Sequence, residues 1–303
     1  MNFNEKSNLL PISENPTEEE MKLVKKRLED HNKQFPNGEL DIPTPDISLV
    51  LKDRNENIVG GVITSMLTGV MHLEVLWIDE LYRGRGYGRD LVLQAESIAK
   101  AKGYPASQTW TFSFQAPEFY KSIGYKLIGI FDGYTSGITE HILLKKFESN
   151  VQAYETNGLL QHGFTITEDT SEDSMKILHE GLHKYVTKHI GGLRKKNPEV
   201  KINLVIKDEG NVVGGAQAYT LLKVVHTVRL WIEEKYRNQG YGKELLSTIE
   251  RIAKENGCIS GLVDALSFEA PEFFQKHGYE IFGISDAYNN SILEYFLKKS
   301  LVD

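Results

Sequence analysis

Two short stretches place glycines and arginines where an anion could be held. Residues 82–88 read YRGRGYG, and residues 236–242 read YRNQGYG. Each follows an apolar run of strand character and precedes a run with helical spacing, so several backbone N–H groups gather at the positive end of a helix. Such a nest suits a phosphate or pyrophosphate. Gly86 and Gly88 let the chain turn tightly and approach a ligand, while Arg83 and Arg237 add charge at the rim. Two other phosphate motifs are excluded. A dinucleotide fingerprint starting at Gly84 needs glycine where Arg89 stands, and a Walker loop needs Ser or Thr where Glu244 follows Gly242 and Lys243. A tight connection that needs glycine only for geometry is the competing reading.

The recurrence of the turn extends to the whole chain. Set against the residue 154 positions on, residues 57–134 align without a gap, with 34 identities in 78 pairs. This is an internal duplication whose period is too long for a solenoid, so each copy is expected to be a complete domain, 1–150 and 151–303, with the boundary in the polar stretch 148–162. Each copy opens with a helix behind a Thr or Ser cap. Strands follow, at DISLVLKD and IVGGVITSML in the first copy and at KINLVIKD and VVGGAQAYTL in the second. A third strand, MHLEVLWID or VHTVRLWIE, runs into the glycine turn. Beyond the turn, Leu91, Ala95, Ile98 and Ala99 form one apolar stripe, matched by Leu245, Ile249, Ile252 and Ala253. A short helix at APEFYKSIG or APEFFQKHG and two closing strands complete a mixed α/β (α+β) unit. At the amino end NLLPISENP makes a poor first strand, and FTITED in the second copy makes a better one.

Composition narrows the function classes. The net charge of −7 is spread over both halves, with no basic stripe for nucleic acid and only mild acidity toward cationic substrates. Cys258 is the single cysteine, which excludes an internal disulfide and a cysteine-rich metal site. No apolar run approaches the ~20 residues that cross a bilayer, and the amino terminus lacks a signal pattern, so neither a membrane nor export is expected and the cytoplasm is the default. His179 and His183 have metal-ligand spacing but lack the accompanying glutamate, so no metal is expected.

YRGRGYGRDL and YRNQGYGKEL resemble the acyl-CoA cradle of the GNAT superfamily of N-acetyltransferases, and APEFYKSIGY, about 30 residues later, resembles that family's short helix carrying a tyrosine. The resemblance covers essentially the whole chain. It implies tandem domains, each a mixed β-sheet splayed open at its middle and flanked by helices, with acetyl-CoA as cosubstrate. The donor would lie on Ile78, Arg83, Gly84, Arg85, Gly86, Tyr87 and Gly88 in the first copy. In the second it would lie on Ile232, Arg237, Asn238, Gln239, Gly240, Tyr241 and Gly242.

Acetyl transfer to an amine requires a proton acceptor for the amine, stabilisation of the oxyanion and a proton for the departing thiolate. The resemblance places Tyr120 at the position of the acid, where the second copy has Phe274, which has no proton to give. It places His72, matched by His226, on the strand where some members carry a base. Strand alternation sets His72 on one face with Glu74, Leu76 and Ile78. Glu74 is the second candidate base, and Val228 is its counterpart. A backbone N–H near Ile78, where the family's strand bulges, is the expected oxyanion donor. Alternation also sets Trp77 and Trp231 on the opposite face, filling the core. Tyr125 and Tyr279 are expected to be structural, and Asp132 with Tyr134 and Asp286 with Tyr288 to line an amine pocket or stay solvated. The leading reading is acetyl transfer to a small-molecule or peptide amine, with chemistry in the first copy and an impaired or non-catalytic second. A non-catalytic acetyl-CoA sensor or scaffold is the alternative, as is transfer from a longer acyl-CoA. The acceptor and the oligomeric state stay open.

Overall fold

The computed structural model describes residues 9–35, 46–67, 69–148, 163–288 and 291–302, which leaves all but Glu148 of the expected boundary stretch outside the described residues. The first half contributes β1 (Ile12–Ser13), α1 (Glu18–Asn32), β2 (Ser48–Lys52), β3 (Ile58–Leu67), β4 (Val70–Ile78), α2 (Tyr87–Ala101), β5 (Ala106–Phe112), α3 (Pro117–Ser122), β6 (Lys126–Phe131) and β7 (Glu140–Lys146). The second contributes β8 (Thr165–Glu168), α4 (Glu172–Lys196), β9 (Lys201–Asp208), β10 (Asn211–Leu221), β11 (Val224–Ile232), α5 (Tyr241–Glu255), β12 (Ser260–Leu266), α6 (Pro271–Lys276), β13 (Glu280–Ser285) and β14 (Glu294–Ser300). The architecture is mixed α/β, and the helix caps follow the sequence. Thr17 and Ser171 accept from the backbone N–H three residues on, and Glu20 completes a capping box at Thr17.

The fourteen strands join into one sheet, in the order β1-β9-β10-β11-β12-β14-β13-β6-β7-β5-β4-β3-β2-β8. That order revises one expectation. The first strand and helix of each half pack on the sheet of the other half. Ile12 pairs with Ile206 on β9, and β8 pairs with β2, Ile166 opposite Leu51. Val24 of α1 is buried with Val205 and Trp231, whereas Leu178 of α4 is buried with Val50 and Val75. The physical reason is the duplication itself. Leu178 lies over Gly61 and Val24 over Gly215, equivalent helix residues on equivalent glycines, so either helix satisfies the same groove. Residues 1–150 and 151–303 are repeats of sequence, and their opening elements are exchanged in space.

The halves are also fused at the sheet's centre. β6 and β13 meet antiparallel at Gly129 and Gly283, where a Cβ on Gly129 would stand 3.2 Å from the Gly283 Cα. Phe131, Tyr134 and Ile138 share a buried cluster with Leu222, Val224 and Leu262, and Val70, Ala106 and Leu144 share another with Leu266, Ala287 and Ile292. Buried Gln108 accepts from Ser285 Oγ (2.7 Å) and donates to Glu294 Oε2 (2.8 Å). Asp132 and Asp286 are largely exposed, as one of the two expectations had it, and pair across the halves with Lys298 and Lys146, each at 2.7 Å. Among the described residues no helix is long and apolar enough to cross a membrane.

Leu178→Ala should therefore cost about 2–5 kcal/mol and loosen β2 to β4, more than a hundred residues away in sequence. Native-state hydrogen exchange checks this. Faster exchange in residues 48–78 is expected, and loosening confined to residues 201–232 would contradict the exchanged packing.

Candidate active site

The site begins where β4 leaves β5. Their parallel pairing covers Met71–Ser107, His72–Gln108 and Leu73–Thr109 and then ends. At the same level the register of β4 with β3 slips, with Ile63 opposite Val75 and Thr64 opposite Leu73, so Glu74 is the extra residue of a bulge. One added residue reverses the facing of everything beyond it. Leu76 and Ile78 thereby rejoin Met71 and Leu73 against α2, and Val75 and Trp77 turn toward α4. The expected shared face of His72, Glu74, Leu76 and Ile78 is corrected accordingly. The bulge lies at Glu74, four residues before the level of Ile78 where it was expected. β11 repeats the device, with Val228 as the extra residue and pairing to β12 ending at Thr227–Val263.

The parted strands open a cavity of about 550 Å³ in the first half. Ile78, Arg83, Gly84, Gly86, Tyr87 and Gly88 of the strand end and cradle line it, together with Thr109, Trp110 and Tyr120. Glu74, Trp77, Leu182 and Tyr185 line it as well, the last two carried by α4 of the other half. The equivalent cavity of the second half, about 540 Å³, takes in Ile232, Arg237, Asn238, Gly240 and Gly242, together with Leu28, His31 and Asn32 of α1. Trp77 and Trp231 are thus cavity residues as well as packing residues.

The cradle turns as the sequence requires. Gly84 (φ 75°) and Gly86 (φ 89°) are left-handed, as are Asn238 (φ 61°) and Gly240 (φ 96°), and asparagine is a side chain that tolerates this conformation. No side chain caps α2 or α5, so their first-turn N–H groups are open to a ligand. Both arginines have a structural duty. Arg83 Nε donates to the Ile78 carbonyl (2.8 Å) and Arg237 Nε to that of Ile232 (2.9 Å), fastening each turn to its strand. Arg85, Gln239 and Tyr241, expected on the cradle, do not line the cavities. Arg85 Nη2 donates to Leu81 O (3.0 Å), Gln239 Nε2 donates to Lys235 O (2.7 Å), and Tyr241 is buried, its Oη accepting from Leu10 N (3.4 Å).

Tyr120 is buried on the cavity wall, edge-on to Phe119 and Tyr125. Burial pushes its phenol up to about 12, and a hydrogen bond with Thr109 partly opposes the rise. It therefore carries its proton throughout the neutral range and is a donor. Glu74 is exposed to the cavity and its Oε1 accepts from Ser65 Oγ (2.5 Å). At the positions of Tyr120, Thr109 and Glu74 the second half has Phe274, Val263 and Val228. Three polar groups are absent there together. Asp264 and Glu269 stand where the first half has Trp110 and Gln115.

His72 does not line the cavity. It is half-buried, with its Nε2 enclosed and without a hydrogen-bond partner among the described residues. His226 stacks on Tyr219 and meets Tyr134 Oη (3.2 Å), whose proton goes to Glu140 Oε2 (2.8 Å), an arrangement that calls for the Nε2–H tautomer. Burial holds both imidazoles down at about 4, so both are neutral at pH 7. Tyr125 donates to Ser107 Oγ (2.7 Å) within the core and Tyr279 is buried.

The model of the acetyltransferase (GNAT) family matches residues 14–125 and 166–279. The chain belongs to that family. It is similar to the blasticidin-S acetyltransferase of Streptomyces morookaense, with 38% identity over 90 residues, covering 29% of this chain and 66% of that one. An acetyltransferase of Agrobacterium fabrum is 24% identical over 102 residues, covering 34% of this chain and 74% of that one. The crystal structure of an acetyltransferase from Bacillus cereus is 32% identical, covers 44% of this chain and 96% of that one, and superimposes with a TM-score of 0.42. Thus this chain spans just under two thirds of the first relative.

The two depressed histidines set a pH dependence. Their folded-state values lie near 4 and the unfolded value near 6.5, so between these limits the two imidazoles bind more protons in the unfolded chain and their contribution to stability falls as the pH drops. Burial raises the Glu140 and Glu294 carboxyls, which act in the opposite sense, so the histidine contribution is read as a difference: in urea unfolding from pH 7 to pH 4, His226→Gln should lower by about one the number of protons taken up on unfolding. An unchanged number in that variant would contradict the assignment.

Proposed function

We propose that this protein transfers the acetyl group of acetyl-CoA to a primary amine by direct attack, with the chemistry confined to the first cleft. The observation that carries this reading is the joint presence of Tyr120, Thr109 and Glu74 there, against Phe274, Val263 and Val228 in the other. In this reading the pyrophosphate lies on the open N–H groups of α2, and the thioester extends between β4 and β5 toward Tyr120. The amine nitrogen attacks the thioester carbon, and Glu74 takes its proton directly or through water. The C–S bond then breaks, and the thiolate receives the Tyr120 proton while the hydrogen bond with Thr109 holds the phenol in place. Backbone N–H groups freed where the strands part would steady the oxyanion. Glu74 takes precedence over His72 as base because it faces the cavity and His72 does not.

The second cradle keeps its left-handed residues and its uncapped helix, which supports binding of acetyl-CoA there without the acid. Among acceptors, blasticidin S is the first to assay, since a relative is named for its acetylation.

Tyr120→Phe should lower kcat by about 10²–10⁴ while the acetyl-CoA dissociation constant stays within about twofold. Phe274→Tyr should leave turnover at the wild-type level, because Thr109 and Glu74 have no counterparts beside it. Thiol release across an amine panel, with acetyl-CoA titrated calorimetrically, checks both. Full activity in Tyr120→Phe would overturn the assignment.

A further inference from the structure

We infer that Tyr185 and Leu182, carried on α4 by the second half, form the acceptor wall of the first cleft, and that this wall selects a primary amine on an apolar body. The inference rests on the function proposed above and names its substrate class.

Tyr185 touches both lips of the cleft. Its Oη donates to the Phe114 carbonyl (3.0 Å) in the loop after β5, and the Arg83 guanidinium of the cradle lies 4.9 Å from its ring centre. His189, one turn on, stacks against Phe114 at 5.2 Å. The same brace is built a second time with other chemistry. Across the 154-residue register Tyr185 corresponds to His31, His189 to Phe35 and Phe114 to Phe268. Phe35 stacks on Phe268 at 4.7 Å, Asn32 Nδ2 donates to Glu269 Oε1 (2.7 Å), and burial, then the Arg237 charge, hold the His31 imidazole below its usual range. Each cleft is thus spanned by the helix that the other half lends.

The direction of approach follows from the layers. The cradle belongs to the α2 face of the sheet, whereas α4 packs on the opposite face through Val75 and Trp77. A donor laid on the cradle leaves Glu74, Trp77, Leu182 and Tyr185 to meet the amine. One carboxylate among four residues neutralises one ammonium, and the two rings and the leucine suit an apolar or aromatic body. A polycation would bring further charges to a wall that, among the described residues, offers no second carboxylate.

Steady-state acetyl transfer by the full-length chain tests this, with 2-phenylethylamine and spermidine as acceptors. The wild type should favour 2-phenylethylamine by at least about tenfold in kcat/KM, and Tyr185→Ala should raise that amine's KM by about tenfold with the acetyl-CoA KM within about twofold. Tyr185→Phe, which keeps the ring, should restore the amine KM. If Tyr185→Ala does not fold, Leu182→Ala carries the same expectation for the amine KM. An unmoved amine KM, a parallel rise in both KM values, or a preference for spermidine would overturn the inference. Wild-type silence toward both these amines and blasticidin S would instead overturn the proposed function, and the inference with it.

Discussion

The point where β4 leaves β5 governs the rest of the structure. Pairing that continued past Leu73 and Thr109 would close the sheet, leaving no room between the strands and no reason for a cradle beyond them. The bulge at Glu74 accompanies the parting. It turns one carboxylate into the gap and reverses the facing of the strand, so that Leu76 and Ile78 serve the α2 layer and Trp77 the α4 layer. Binding surface, cavity and candidate base therefore depend on one local irregularity, present once in each half.

The exchanged helices follow from the same geometry. A sheet opened at its middle has two lips that need a tie, and in both halves the tie comes from the other repeat. Duplication supplied two cradles, and exchange made each cleft depend on both copies. Of the histidines that match across the repeat, His226 belongs to this fusion. His226 closes a buried contact to Tyr134 and Glu140 across the halves, a packing role that accounts for its presence without any chemistry at the thioester.

Much of this was legible in the sequence, for physical reasons that differ by element. The cradle could be read because left-handed backbone at 84, 86, 238 and 240 favours glycine or asparagine at those positions. The amphipathic helices α2 and α5 could be read because their stripes have one period. Thr109 against Val263 was present in the same 154-residue register that exposed Tyr120 against Phe274, and a search for the partner of the phenol would have found it. The bulge was hidden because strict alternation fails silently when one residue is inserted, and the adjacent apolar pair Val75 and Leu76 was its only trace. The exchange left no trace at all, since Val24 and Leu178 fit equivalent glycine grooves and nothing local says which groove each takes.

In the proposed function two cradles bind the donor and one cleft carries the chemistry. A single-turnover experiment tests it most directly. The chain is loaded with two equivalents of labelled acetyl-CoA, freed of excess donor, mixed rapidly with an acceptor amine and quenched over time. The account predicts transfer of one equivalent in a fast phase, with the second released only as it exchanges off the second cradle. Transfer of both equivalents at one rate would contradict it.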